Sequence, residues 1–454
     1  MGATAPRTSG SVRLVAFAAF AFCLLFASYR WNIFGIERAT VANNIVLVDC
    51  YVVPSLDLYA GDSSLQGRIG EMQLLDGQGQ YSPYVMSVGL QRIGYSLLAP
   101  GTRDGVDRAI PYLRGLIEAL LALALTLFVI VVRREFGALC AILTTVMLAL
   151  SNWLIVFAPD LFWIPATFFM PFVVVWLWGD PASPVRQQRM VALLFTVCCF
   201  VKCLCGYDYT TNVLGAAAVP LLYYGLRRGV PWRYTLARIA RYGALSFAAF
   251  SAAIVLQILQ FKFVGNNTRG SLGAFLKEVH RRTLSNGEGL GTGYDNAVLS
   301  LLHRLHVSPL HDHAIEPYLV QLRPLLRYFR YLSMGALTIP LGGHALQLPI
   351  GLFVVGFALI AWLQRKRLKR ALFSGASDRL SAWTVATLAA LLITHLWVVA
   401  ANGHMTHTFF NAIVFYIPFL PMAYVLLAVA IARWLERGVR AIRMKAQPIP
   451  ENQP

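Results

Sequence analysis

Residues 112–132, YLRGLIEALLALALTLFVIVV, followed at once by Arg133 and Arg134, decide the fold class. From Gly115 to Val132 the run holds a single charge, Glu118. It is close to the ~20 apolar residues that cross a hydrocarbon core. In such a core only segments that bond all of their own backbone groups survive, and here that means a helix. Two arginines directly after an apolar run mark the cytoplasmic edge of a membrane span.

Working outward, the same unit recurs. Apolar runs at 12–29, 137–157, 161–179, 190–206, 209–226, 242–263, 347–364, 381–400 and 408–432 join 112–132 to make about ten spans. The first resembles a signal peptide, but Ser28-Tyr29-Arg30-Trp31 is a poor cleavage site, so it reads as an uncleaved helix. Of the 454 residues 57% are hydrophobic and 13% charged, against roughly 25% charged in a soluble domain. The reading is an all-α, polytopic transmembrane helical bundle. It forms one membrane-embedded domain over 1–445, with helical outer loops at 30–111 and 264–346 and a disordered tail at 446–454.

The net charge of +18 could signal nucleic acid. Its placement argues otherwise. Arg7 and Arg13, Arg133 and Arg134, Arg186 and Arg189, five arginines between Arg227 and Arg241, six bases between Arg365 and Arg379, and five between Arg433 and Lys445 hold nearly all of the excess. With the N-terminus inside, all six segments face the cytoplasm, and so do both termini. The basicity becomes a topology signal and an attraction to anionic membrane lipids, with no call for nucleic acid. Arginine outnumbers lysine, which points to a GC-rich bacterial genome and a bacterial inner membrane. Cys198, Cys199, Cys203 and Cys205 share one apolar stretch and read as small hydrophobes, not a disulfide framework.

The acids and histidines collect in the outer segments. Polar chain held there against a rigid scaffold is where function is expected. In VLVDCYVVPSLDLYAGD, Asp49, Asp57 and Asp62 are candidate general bases for a sugar hydroxyl, or else solvated loop acids. In FVKCLCGYDYTTN, Lys202 near a span end could hold a phosphate, or reach the interface and pair with Asp208. His404 and His407 flank the mouth of a helix. His303, His306, His311 and His313 could hold a divalent metal, or form a solvated face. Glu118 lies inside a span with Arg114 one turn away, and Asp160 sits in a turn. Residues 84–99 have the spacing of an interfacial helix, and loop 264–346 reads as amphipathic helices at 272–284, 296–305 and about 315–331. Walker, GxGxxG, HExxH and nucleophile-elbow motifs are absent, which leaves ATP-driven transport and soluble-type hydrolysis without support.

Three stretches carry a likeness to a known group: PYVMSVGLQ at 83–91, SNWLIVFAPDLFWIPATFFMPF at 151–172, and residues 404–418. With the loop arrangement, the chain resembles the GT-C superfamily, membrane glycosyltransferases that use polyprenyl-phosphate-linked sugars. The resemblance implies a lipid-linked sugar entering from the outer leaflet, and transfer with inversion to a glycan, lipid or protein acceptor. It implies Asp49 or Asp57 as base, with Glu37 and Asp49 the nearest match to the acid pair many members carry after the first span. It implies Lys202, helped by His404 or His407, on the leaving phosphate, with Asp160 and Asp208 among the substrate-binding residues. No cofactor is required; a divalent metal is optional, and His306, His311 and His313 are its candidate ligands. The rival readings are a secondary transporter, which would show inverted halves and broken helices, an O-antigen polymerase or ligase, and a non-catalytic scaffold.

Overall fold

A computed structural model of the chain describes residues 8–36, 72–75, 80–83, 88–98, 103–264, 273, 328–329, 331–341, 344–373, 377–400 and 410–446. It is mostly helical. The long helices are α1 (Thr8–Trp31), α3 (Arg103–Phe136), α7 (Val185–Cys205), α10 (Trp232–Val264), α13 (Arg379–Ala400) and α14 (Phe419–Ala446). Between them lie α2 (Leu90–Leu98), α4 (Ala138–Ala149), α5 (Asn152–Phe157), α6 (Ala166–Trp178), α8 (Thr210–Gly215), α9 (Ala218–Arg228), α11 (Ile350–Leu363), α12 (Arg365–Phe373) and a 3-10 turn at Phe410–Tyr416. Two antiparallel hairpins complete the described chain: β1 (Met72–Leu75) with β2 (Gln80–Pro83), and β3 (Gly335–Leu341) with β4 (His344–Pro349).

Helix α3 begins nine residues before the expected edge and accepts Pro111 within it. Its charges follow the helix dipole, with Asp104 in the first turn and Arg133 and Arg134 in the last. Gly137, at φ +92°, takes a backbone conformation that a side chain would strain, and so turns the chain directly into α4. The core is aromatic. Trp176 packs on Trp383 with ring centroids 4.6 Å apart, Tyr223 and Phe128 flank them, and the Trp383 indole donates to Met422 O at 3.1 Å.

The basic segments gather at one end of the bundle. Arg133 donates to Arg13 O, and Arg134 reaches Trp176 O, Leu177 O and Tyr224 Oη. Glu135 accepts from Tyr223 Oη at 2.7 Å and pairs with Arg227 and Arg134, both at 3.3 Å. Arg379 donates to Glu135 O, Arg228 holds Asp180, and Arg238 donates to Gly179 O. Arg433 and Glu436 of α14 act electrostatically on Cys140 at the start of α4. Charges scattered over more than 400 residues of sequence therefore share one end. The other end carries Gly206, Asp160 and the β3–β4 hairpin.

Several expectations need correction. Among the described residues six helices are long and apolar enough to cross a membrane, so about ten spans is not confirmed; α4, α6 and α11 are apolar but shorter. The run 137–157 is broken into α4 and α5 at Ser151, 209–226 into α8 and α9, and 408–432 into the 3-10 turn and α14. Nor is the described chain all-α. The β3–β4 hairpin occupies part of the expected helical loop and enters the first break. Ser151 forms an antiparallel bridge with Leu337, and the Thr338 amide donates to Leu150 O at 3.1 Å.

The break is tolerated because its freed carbonyls find partners, which a membrane interior demands. Ser28 Oγ donates to Ala149 O at 2.5 Å and Tyr29 Oη to Leu148 O at 3.4 Å. Tyr416 and Tyr424 hydroxyls both donate to Ala336 O, and Thr338 Oγ1 donates to Asn152 Oδ1 at 2.6 Å. The intramembrane Glu118 pairs with Arg30 of α1 at 3.4 Å, a partner 88 positions away. The described cysteines are all free thiols.

Candidate functional site

At the end opposite the basic cluster, two short turns come together: 158–165 between α5 and α6, and 206–209 between α7 and α8. Asp160 is fully buried. Its Oδ1 accepts the backbone N–H groups of Phe162 at 2.9 Å and Trp163 at 2.8 Å, so a carboxylate winds the turn around itself. The Trp163 indole then donates to Asp208 Oδ2 at 3.1 Å and ties the first turn to the second. Lys202, in the last turn of α7 and 1% exposed, donates to Gly206 O at 2.6 Å. Its ammonium also stands 5.1 Å from the Phe168 ring centroid, a cation–π distance, and feels the charge of Asp208.

Three of the residues named from sequence, Asp160, Lys202 and Asp208, are thus brought to one place. Lys202 does not reach out to the interface; it is enclosed. The remaining named residues, Asp49, Asp57, His404, His407, His306, His311 and His313, lie outside the described residues, as do Glu37 and Asp62. Among the described residues, no cluster of three or more His, Cys, Asp or Glu could hold a metal.

Strain marks both turns. Ile164 sits at φ +42° and Tyr209 at φ +57°. A β-branched or bulky residue at positive φ is a genuine outlier, costing on the order of 1–3 kcal/mol. Their surroundings hold them there: the Trp163 and Tyr209 rings meet edge to face at 5.8 Å, Tyr209 meets Phe168 at 5.6 Å and Trp397 at 5.3 Å, and the Thr167 hydroxyl donates to Ile164 O at 2.9 Å.

Sequence reading missed three contributors. Gln91 lies within the 84–99 stretch expected to form a helix, of which residues 90–98 form α2. Its Nε2 donates to both Phe162 O at 2.9 Å and Cys205 O at 2.8 Å, while Tyr95 Oη donates to Leu161 O, so α2 seals the two turns. Gln91 Oε1 is buried without a partner. Asn212 of α8 is also fully buried; it donates to Val414 O and Ile417 O, both at 3.3 Å, and its Oδ1 lacks a partner. Third, Tyr328 Oη and His395 Nε2 are 2.5 Å apart, with His395 Nδ1 2.7 Å from Leu391 O. That carbonyl can only accept, so Nδ1 donates to it while Nε2 meets the phenol. Position 91 could have been singled out as a glutamine on an interfacial helix. The Tyr328–His395 pair is 67 positions apart and left no local signal.

Chemically, the site offers carboxylates held by N–H donors, an enclosed lysine, orphaned amide oxygens and an imidazole bonded to a phenol. No protein-family model, curated protein or solved structure matches the chain.

Proposed function

We propose that this protein is an integral membrane glycosyltransferase that moves a sugar from a polyprenyl-phosphate donor to an acceptor hydroxyl at the end of the bundle opposite the basic cluster. In this reading the basic end faces the cytoplasm. Interrupted helices each count as one crossing, which gives ten passes with both termini inside. The observation that carries it is the convergence of Asp160, Lys202 and Asp208 beneath the interfacial helix α2, on two strained turns at one end of an apolar bundle.

A lipid phosphate leaving between apolar helices needs a cation, because the surrounding dielectric leaves its charge unscreened. Lys202 supplies it. In the free protein its ammonium holds Gly206 O, and the leaving phosphate competes for that bond. Asp208, fixed by the Trp163 indole, places a carboxylate on the neighbouring turn. The proton acceptor expected from Asp49 or Asp57 lies outside the described residues.

The test is turnover of radiolabelled polyprenyl-phosphate sugar by the full-length protein in liposomes. Lys202→Ala is expected to reduce turnover by ~10²-fold or more, the scale of losing one charge-stabilising donor. Asp49→Asn tests the base separately. Wild-type turnover in the Lys202→Ala variant would refute the site.

One observation favours a second reading, a secondary transporter: the three interrupted runs, at Ser151, at 216–217 and before α14. Broken helices line transporter sites. Solute counterflow in the same liposomes, without release of lipid phosphate, separates that reading from the first.

A further inference from the structure

The basic end is not uniform. Arg134, Arg227, Arg228, Arg238 and Arg379 are all committed to carboxylates, carbonyls or hydroxyls of neighbouring helices. Helix α12, RKRLKRALF, differs. It packs five cations and no acid into nine residues. It lies on Leu368, Ala371 and Leu372, which fall at i, i+3 and i+4, while its five cations are all exposed. Lys366 and Lys369 have no acidic partner among the described residues.

Beside this helix runs a cleft of about 220 Å³ lined by Leu226, Val230, Pro231, Trp232, Ala371 and Phe373 among others. The lining is mostly apolar, with Thr235 its polar side chain. The Trp232 indole donates to Leu372 O at 2.7 Å and pins α12 to the start of α10, while Phe373, 85% exposed, extends the apolar surface outward. The space is smaller than the ~300–1,000 Å³ of pockets that swallow a whole small molecule. It suits part of a chain whose remainder stays in the bilayer.

We propose that this cleft binds an anionic glycerophospholipid, with acyl carbons between α9, α10 and α12 and the headgroup phosphate on Lys366 and Lys369. A largely apolar slot on the last residues of a helix whose exposed lysines precede it, at the end where the membrane–water boundary falls, matches that ligand in both parts. A free anion would leave the slot empty, and a zwitterionic lipid would gain nothing from the lysines. This site is independent of sugar transfer.

The experiment is native mass spectrometry of the full-length protein in micelles, titrated with phosphatidylglycerol or phosphatidylcholine. Wild type is expected to retain phosphatidylglycerol with a Kd about thirtyfold lower, the effect of two surface cations. Lys366→Gln with Lys369→Gln should abolish the preference, and Lys366→Arg with Lys369→Arg should keep it, which separates charge from misfolding. Val230→Trp, filling the slot, should weaken retention of both lipids. Equal retention of the two lipids by wild type, an unchanged preference in the glutamine variant, or full retention by Val230→Trp would overturn the proposal.

Discussion

At the basic end, Glu135 and Asp180 meet arginines in pairs that are partly open: Arg228 is 49% exposed and Arg227 25%. At the opposite end, Asp160, Lys202 and Asp208 are closed off, and their bonds run to backbone amides, a carbonyl and an indole. The first arrangement needs only charge of one sign at one end, and many sequences supply that. The second needs particular atoms at particular distances, held by two residues at positive φ. Charge at the basic end is a matter of sorting; at the other end it is a matter of geometry. Substitutions at the two ends should therefore differ in cost, and that difference can be tested.

The largest effect is expected from Asp160→Ala. It strands the N–H groups of Phe162 and Trp163 in a fully buried turn, each costing roughly 1–3 kcal/mol. The melting temperature of the purified protein should drop sharply, while Asp160→Asn, which keeps an acceptor oxygen, should recover most of it. A wild-type melt for Asp160→Ala would erase the contrast between the ends. Next comes Gln91→Leu. It leaves Phe162 O and Cys205 O without their donor, for a total of about 1–3 kcal/mol, since carbonyls tolerate undersatisfaction better than amides. Faster proteolysis near α2 would report it. Ser28→Ala removes one donor from Ala149 O at the helix break, for roughly 1 kcal/mol by the same measurement.

The smallest effect belongs to Asp180→Asn, below about 1 kcal/mol and weaker still in high salt, because the pair with Arg228 is exposed. Its pH dependence sharpens the comparison. Partial burial pushes the Asp180 carboxyl up, but hydrogen bonds from Arg228 and the Ala182 amide outweigh burial and leave it below its ordinary 3.8. A carboxyl depressed by folding stabilises above its unfolded value and loses that contribution as pH falls. The gap between wild type and Asp180→Asn should thus be present at pH 7 and close below about pH 4. A gap that widens in acid would contradict the assignment.

Much of the fold was legible. The run at 112–132 lies within α3, the paired arginines lie at its end, and the helix expected within 84–99 is present over 90–98 as α2. The motif FVKCLCGYDYTTN announced one of the two turns, because a lysine and an aspartate at the edge of an apolar run stand out against their surroundings. The hairpin at 335–349 carries a local signal, because Gly342-Gly343 between two runs of strand-forming residues is hairpin chemistry. The interruptions at Ser151 and after Gly215 were not legible. Hydropathy counts side chains without asking where backbone carbonyls are bonded. Nor could spacing reveal that Gln91 would reach both turns, or that Glu118 would meet Arg30.

The sequence by itself determined that these segments are helical, apolar and separated by basic connectors, because burial of apolar side chains and hydration of arginine are properties of each residue alone. Only the tertiary structure decided where helices break and which polar atoms meet. A freed carbonyl or a buried carboxylate is tolerable only when a donor arrives from elsewhere in the chain, and those donors, Ser28 for Ala149, Thr338 for Leu150 and Trp163 for Asp208, are supplied by packing rather than by proximity in sequence.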